Sequence, residues 1–446
     1  MKPSIYNIYF DYKNKSYVFN TLSNAIIALD SEIVPLLKIN NLSCMESNTI
    51  TILQENGIIV EDDMNEVAVY ENFYHGYRYK NVRQELRLVI LPTYQCNLRC
   101  KYCFEDSHEI KDCLDEAKIL SIIEFANNEL NKIPHYDYKK INLVLFGGEP
   151  LVNREACIAI AEKLKVLADS NNLIFDAQII TNATLIDDDI IKRLIIPYKV
   201  NIQITFDGLK TIHDSRRIYK NGKGSFEKIK EAVCLINQYD CKDLLTIRLN
   251  VDKENESLIS AFYDEFHSMC KHIYVGLLRA AGNNKNNLSK CISDQEYHTR
   301  IHPNLLPTIC KYNIKHDTIA FGKRVPCAMN SEECYVIDPK LDVYKCDNLV
   351  GMKQHSVGYI DNKGVFHKNA QYYKQMTWSP FHFSQCTKCN LLPICSADCA
   401  YKCLLINGSM ELPHCALTEK ELIERIKTYL HEKELEQNVM TTGLIN

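Results

Sequence analysis

Between Leu91 and Glu105 the chain reads LPTYQCNLRCKYCFE, with Cys96, Cys100 and Cys103 at C-x3-C-x2-C spacing. The apolar run Leu86–Leu91 leads into this loop and Pro92 ends it, as a buried strand feeding a turn would. Thiolates packed this closely suit a soft metal or an iron–sulfur cluster, so the fold must hold several ligands on one loop at a strand end. Three ligands are one too few for a 4Fe–4S cube, which leaves one iron open to chelate a small molecule. A zinc site is the alternative. Zinc usually closes with four ligands, often as two C-x2-C knuckles, and here His108 and Cys113 follow without that pairing.

From residue 85 to about 280, strand and helix patterns alternate, which argues for parallel β/α units. Strands are expected at Glu85–Leu91, Ile141–Phe146, Phe175–Thr181, Val200–Phe206, Leu244–Val251 and His272–Leu278. The helix Asp115–Leu130 carries Ile119, Ile122, Ile123, Ala126 and Leu130 on one face. Asp115 is its expected N-cap, and Ser225 that of the helix Phe226–Asn237. Polar clusters close the later strands. The second ends in Gly147-Gly148-Glu149-Pro150, where glycines admit close backbone approach and a carboxylate can hold an ammonium group. The third ends in Thr181-Asn182-Ala183-Thr184, the fourth in Thr205-Phe206-Asp207-Gly208, and the fifth carries Arg248 and Asn250 on one face. His213 and Arg216 follow the fourth strand and face either substrate or solvent.

Together these motifs resemble the radical S-adenosylmethionine (SAM) enzymes, whose CxxxCxxC loop follows the first strand and has an aromatic before the last cysteine, here Tyr102. The resemblance implies an α/β fold built on a partial (β/α)6 barrel, with chemistry at the C-terminal strand ends. It implies a 4Fe–4S cluster on Cys96, Cys100 and Cys103. It also implies that Gly147, Gly148, Glu149 and Pro150 hold the methionine amino group of SAM. Thr205 and Asp207 resemble the family's S-x-D-G stretch near the ribose and carboxylate, with Thr keeping the serine hydroxyl. Arg248 is expected to meet SAM or substrate.

The remaining cysteines crowd at 327–415. The chain has 20 in all, below the density of a disulfide scaffold, so ligation explains them better than disulfides. Cys386-x2-Cys389-x5-Cys395-x3-Cys399 is followed by Cys415, and Cys327, Cys334 and Cys346 lie upstream. This resembles the SPASM domain, which carries auxiliary 4Fe–4S clusters. By that resemblance Cys327, Cys334, Cys346 and Cys399 hold one cluster, and Cys386, Cys389, Cys395 and Cys415 another. A zinc ribbon at Cys386, Cys389, Cys395 and Cys399 is the alternative, against which the x5 and x3 spacings count. Cys403 could substitute for Cys399. Where the family usually has glycine, five residues before Cys346, this chain has Leu341.

Residues 1–84 read as a small α/β unit, winged-helix-like, with strands at Ser4–Phe10 and Ser16–Asn20. Helices are expected at Leu22–Leu29, Glu32–Ile39 and Ile50–Asn56, the last capped by Gly57, with a strand at Ile58–Val60. The unit is either a structural cap or a peptide-binding module whose sheet edge accepts an extra strand. Residues 85–280 form the barrel, 281–326 a linker and helical bridge, and 327–446 the SPASM region with a charged terminal helix over Thr418–Gln437.

A net charge of −4 gives no basic footprint for nucleic acid, and no long apolar run spans a membrane. The N-terminus lacks a signal-peptide core, so the cytoplasm is expected. The resemblance implies a radical SAM peptide maturase. Its partners would be a precursor peptide with a leader segment and a reductant such as flavodoxin or ferredoxin, and its product a thioether crosslink at cysteine. An anaerobic sulfatase-maturating enzyme is the alternative, and Asp347, directly after Cys346, favours it as a proton acceptor. A cysteine-rich zinc or electron-transfer protein without catalysis is a third reading, against which GGEP and the strand–helix order count.

Overall fold

Strands are labelled in chain order. Six of them fall where the alternation puts them: β6 (Glu85–Ile90), β7 (Lys140–Leu145), β8 (Ile174–Thr181), β9 (Asn201–Phe206), β10 (Leu245–Val251) and β11 (His272–Leu277). All pair in parallel, in chain order, with helices between them. This computed structural model describes every residue except 80–83, 104–111, 133–136, 279–289, 294–295, 313–325, 328–329, 398, 416 and 443–446. His108 and the polar run 282–287, expected as part of a linker, lie outside the described residues.

Strand alternation divides the barrel into two faces. Leu86, Leu88 and Ile90 point outward into a core with Ile119, Ile122 and Phe125 of the helix Glu116–Asn131. Asp115 caps that helix as expected, accepting from the Lys118 N–H at 2.9 Å. Val89, Leu91 and Val144 point inward and meet Val336, Tyr344 and Leu349 of the cysteine-rich region. That region also joins the sheet. Strand β12 (Cys334–Ile337) pairs in parallel with β6, and β13 (Asp342–Tyr344), β14 (Gly358–Ile360) and β15 (Phe366–Lys368) continue antiparallel, giving ten strands in one sheet. The turn between β12 and β13 is made with Leu341 itself in the left-handed region, at φ +63°. The conformation that glycine would supply is kept, at a strain cost of about 1 kcal/mol.

The N-terminal segment holds β1 (Lys2–Pro3), β2 (Asn7–Tyr12), β3 (Lys15–Asn20), β4 (Ile26–Leu29) and β5 (Ile59–Val60), with helices Ile33–Lys38 and Ser47–Glu55. The order β2-β3-β4 makes an antiparallel sheet. The helix expected at Leu22–Leu29 is a correction: Asn24 turns at φ +64° and the β-branched pair Ile26-Ile27 joins β3 instead. Gly57 closes its helix at φ +72°.

A helix not anticipated, Glu66–Tyr79, leads from this segment toward the barrel. Its buried face is Glu66, Tyr70, Tyr74 and Arg78, so a search for aliphatic periodicity passes it by. Arg78, 0% exposed, donates to the Trp378 carbonyl at 2.7 Å, and the Tyr70 hydroxyl pairs with Ser396 Oγ at 2.5 Å. The charged terminal helix, Glu419–Thr442, is not solvated all round. Its Leu422 and Ile426 are buried against Ile8, Phe10 and Phe19 of the N-terminal sheet. Among the described residues, no helix is long and apolar enough to cross a membrane.

Candidate functional site

The cysteine loop lies over the C-terminal end of β7 because two glycines let it. A Cβ on Gly148 would stand 2.5 Å from the Tyr94 and Gln95 carbonyl oxygens. Gly147, at φ +135°, would place one 2.8 Å from the Thr93 oxygen. No other residue fits either place. The loop is pinned on its far side by the Arg99 N–H to the Ile218 carbonyl at 2.7 Å and the Lys101 N–H to Arg216 at 3.1 Å. Cys96, Cys100 and Cys103 are half-buried on it. Burial, then the Glu149 charge, pushes the Cys96 thiol up to about 12, and Cys100 and Cys103 add to the shift. Three thiols gathered this way become thiolates only around a cation, the setting an iron–sulfur cluster supplies.

Glu149 is fully buried beside them. Its carboxylate accepts from Thr181 Oγ1 at 2.7 Å, the Asn182 N–H at 2.7 Å and the Leu151 N–H at 3.1 Å. Burial nonetheless pushes its pKa up, so a cationic group arriving there is favoured. Pro150 supports this turn without lining the cavity: it is buried at the start of the short helix Pro150–Asn153.

A second polar group closes the opposite wall. The Tyr102 hydroxyl donates to Asp207 Oδ1 at 2.8 Å and accepts from Arg217 Nη1 at 2.7 Å and Asn250 Nδ2 at 3.1 Å. Asn250 also donates to Asp207 at 3.2 Å. Asp207 Oδ2 and Arg217 Nε are buried and have no partner among the described residues, which is costly unless a ligand satisfies the site. Asp207 stands behind Tyr102 rather than in the cavity wall.

These walls enclose a cavity of about 450 Å³. Its lining includes Cys96, Cys100, Cys103, Glu149, Thr205, Arg217 and Arg248. Asp347 and Asn348 complete it from the cysteine-rich region, far away in sequence. Tyr102, Gly147 and Gly148 line it as well.

Two expectations for neighbouring residues change. Arg216 binds Asp252 at 2.8 Å and Glu254 at 2.7 Å, a structural ion pair, and its neighbour Arg217 enters the cavity. The helix Lys210–Arg216 ends there and Arg217 turns to ψ 83°, off the helical track. His213 faces neither substrate nor solvent. Its Nδ1 accepts from the Asp207 N–H at 3.3 Å and its Nε2 meets Ser225 Oγ at 3.0 Å. Ser225 is thereby diverted from capping, and Asp214 takes over, accepting from the Phe226 N–H at 2.9 Å.

Burial pushes the His213 pKa down to about 3. The folded state thus binds no proton at His213 where the unfolded chain, at about 6.5, does. Stability is full above the unfolded value and declines as pH falls from there toward the folded one. About 2 kcal/mol is expected to be lost at pH 5 relative to pH 7.5. Urea melts across that range should show a shallower pH slope in His213→Gln, and an unchanged slope would reject the assignment.

The other cysteines fall into two groups. The Cys346 thiol is pushed up by burial and by Asp347, with Cys399 and Cys327 contributing as neighbours. Extending the β12–β13 register from Val336↔Tyr344 by two residues sets Cys334 opposite Cys346. Cys386, raised to about 12 by burial, has Cys395, Cys415, Cys389 and Cys403 as its charged neighbours. Cys403 thus lies near this second group as well. Among the described residues, no group of three or more His, Cys, Asp or Glu side chains is placed to hold a metal ion.

Residues 90–266 match the model of the Radical SAM superfamily, and the chain carries a radical SAM domain there. That family binds SAM and a 4Fe–4S cluster, and the thiol loop, the cationic-ligand cradle and the cavity-lining Arg217, whose Nε has no partner among the described residues, fit both. Among characterised relatives, a cysteine-type anaerobic sulfatase-maturating enzyme of Clostridium novyi (strain NT) is 26% identical over 348 residues, 71% of this chain and 88% of the relative. Two solved structures share the fold. Native anSMEcpe with bound AdoMet and Cp18Cys peptide superposes with a TM-score of 0.57 at 20% identity, covering 81% of this chain and 99% of that one. Streptococcus suis SuiB bound to precursor peptide SuiA gives 0.52 at 16%, covering 93% and 99%. The chain is a radical SAM enzyme related to sulfatase maturases.

Proposed function

We propose that this enzyme modifies a ribosomally made precursor peptide, forming thioether crosslinks at cysteines. The observation that carries the reading is the shared cavity: Asp347, from the cysteine-rich region, stands in the same wall space as the thiol loop and its cationic-ligand cradle. When bound there, a 4Fe–4S cluster and SAM would supply hydrogen-atom abstraction from the substrate. Cys96, Cys100 and Cys103 would hold the cluster. Glu149 holds the SAM ammonium, and Arg217, the guanidinium that perturbs Cys100, holds its carboxylate. Thr205 orients the ribose. Asp347 accepts the substrate thiol proton at a carboxylate oxygen as the new bond closes. Cys327, Cys334, Cys346 and Cys399, and Cys386, Cys389, Cys395 and Cys415, would hold two auxiliary clusters. Such clusters supply an electron acceptor or a thiolate-binding iron.

The N-terminal sheet supports a leader-binding role. Strand β2 has the terminal helix against it, with Tyr12 near Glu434 at 3.4 Å, whereas β4 has β3 on one side and, among the described residues, no strand on the other. Asn20 and Ala25 are hydrogen-bonded partners, so alternation turns the backbone groups of Ile26 and Ala28 toward the open edge. An extended peptide can add there. Ala28→Pro removes one outward donor without touching the β3 ladder. It is expected to lower precursor modification about tenfold or more while uncoupled 5′-deoxyadenosine formation persists. Normal modification by Ala28→Pro would make the unit a structural cap only.

The relatives named for sulfatase maturation, with Asp347 in the cavity, favour a second reading: conversion of a protein cysteine to formylglycine. Mass spectrometry separates the two. A thioether loses two hydrogens and blocks the thiol, and formylglycine gives a hydrazide-reactive aldehyde.

A further inference from the structure

The cavity holds two guanidiniums, and SAM brings a single carboxylate. Arg217 lies on the side of the cysteine loop: its Nη1 donates to the hydroxyl of Tyr102, within the loop itself, at 2.7 Å. Arg248 lies in the wall with Leu277, Leu278 and Asp347. Its side chain is nevertheless built into place. Nε donates to Asn250 Oδ1 at 2.9 Å, and the guanidinium lies 5.8 Å from the Tyr274 ring centre. Gly276, opposite Asn250 in the β10–β11 register, leaves the room: a Cβ there would come within 2.6 Å of Arg248 Nε. Among the described residues the two terminal nitrogens of Arg248 meet no acceptor and no carboxylate. An oriented, half-buried guanidinium with a vacant fork matches a carboxylate bidentately.

We infer that Arg248 receives a carboxylate of the peptide substrate, so that the segment entering this cavity is acidic at or beside the modified residue. The inference rests on the peptide-modifying reading above. It also accounts for charge: an acidic segment entering beside Asp347 is offset by Arg248 rather than repelled.

The test uses the anaerobically reconstituted full chain and reads binding, not turnover. In equilibrium dialysis the wild type is expected to retain SAM over decarboxylated SAM by about tenfold. Arg217→Gln should erase that preference and Arg248→Gln should keep it. Three acetylated pentapeptides are then titrated onto the SAM-loaded enzyme by fluorescence anisotropy. One has a central Glu and an amidated terminus, one a central Gln and an amidated terminus, and one a central Gln and a free terminus. The first is expected to bind about five- to tenfold tighter than the second, an advantage that Arg248→Gln removes. An advantage confined to the third supports the same site with the C-terminal carboxylate as its occupant. Equal binding of all three, no binding by any up to about 10 mM, or loss of SAM preference in Arg248→Gln would overturn the inference. The underlying reading fails differently: peptides bind with the carboxylate preference, yet none of the bound peptide changes mass under turnover.

Discussion

Replacing Cys96, Cys100 and Cys103 together by alanine is expected to bring 5′-deoxyadenosine formation to background, a fall of more than about 10³-fold, because reductive cleavage of SAM depends wholly on the cluster we propose they hold. The fold should persist. None of the three belongs to a buried hydrophobic cluster, and their contacts are weak, such as the Leu98 N–H to Cys96 Sγ at 3.4 Å. Far-UV circular dichroism should therefore match the wild type, separating loss of chemistry from loss of structure. Iron analysis adds a second readout. If the two C-terminal cysteine groups hold cubes of their own, the variant should keep about two thirds of the wild-type iron. Undiminished 5′-deoxyadenosine from the triple variant would sink the cluster assignment.

The second large effect is expected at Asp347. Asp347→Asn keeps the volume and loses the base, so SAM cleavage should continue while modified peptide falls by about 10²- to 10⁴-fold. The structure makes this a clean separation. Asp347 is exposed to the cavity, and among the described residues its Oδ1 accepts from its own neighbours: the Asn348 N–H at 3.1 Å, Asn348 Nδ2 at 3.3 Å and the Cys346 thiol at 3.6 Å. Among the described residues it makes no ion pair whose loss would disturb the barrel. It touches neither Glu149 nor Arg217, so SAM affinity should stay within about twofold of the wild type. Product at the wild-type rate from Asp347→Asn would remove it from the mechanism. It would leave the carboxylate as a packing partner of the Cys346 group.

Much of this site is legible in the amino-acid order alone. The C-x3-C-x2-C loop, GGEP and the strand-end residues Thr205, Asp207 and Arg248 are short-range patterns, and each lies at the end of a strand whose place is visible in the sequence. Periodicity is a property of neighbouring residues, so strands as regular as Glu85–Ile90 and helices as amphipathic as Glu116–Asn131 declare themselves. It fails where burial is achieved with polar groups. The helix Glu66–Tyr79 buries Glu, Tyr and Arg, each with a distant partner: Ser4 for Glu66, Ser396 for Tyr70, Trp378 for Arg78.

What the chain determined by itself is therefore the chemistry available at each strand end: three thiols, a carboxylate beside two glycines, and hydroxyl, carboxylate and guanidinium groups in order. What only the tertiary structure decided is which of them meet. Arg216 and Arg217 are adjacent and alike in sequence. The end of one helix turns the first to Asp252 and the second to Tyr102. Ser225 and Asp214 are both good caps, and the buried His213 between them assigns the serine elsewhere. Asp347 reaches the radical cavity because β12 and β13 extend the barrel sheet past β6. The physical reason is common to all three. A side chain's partner is set by which segments pack together, and packing is a sum over contacts between residues far apart in the chain.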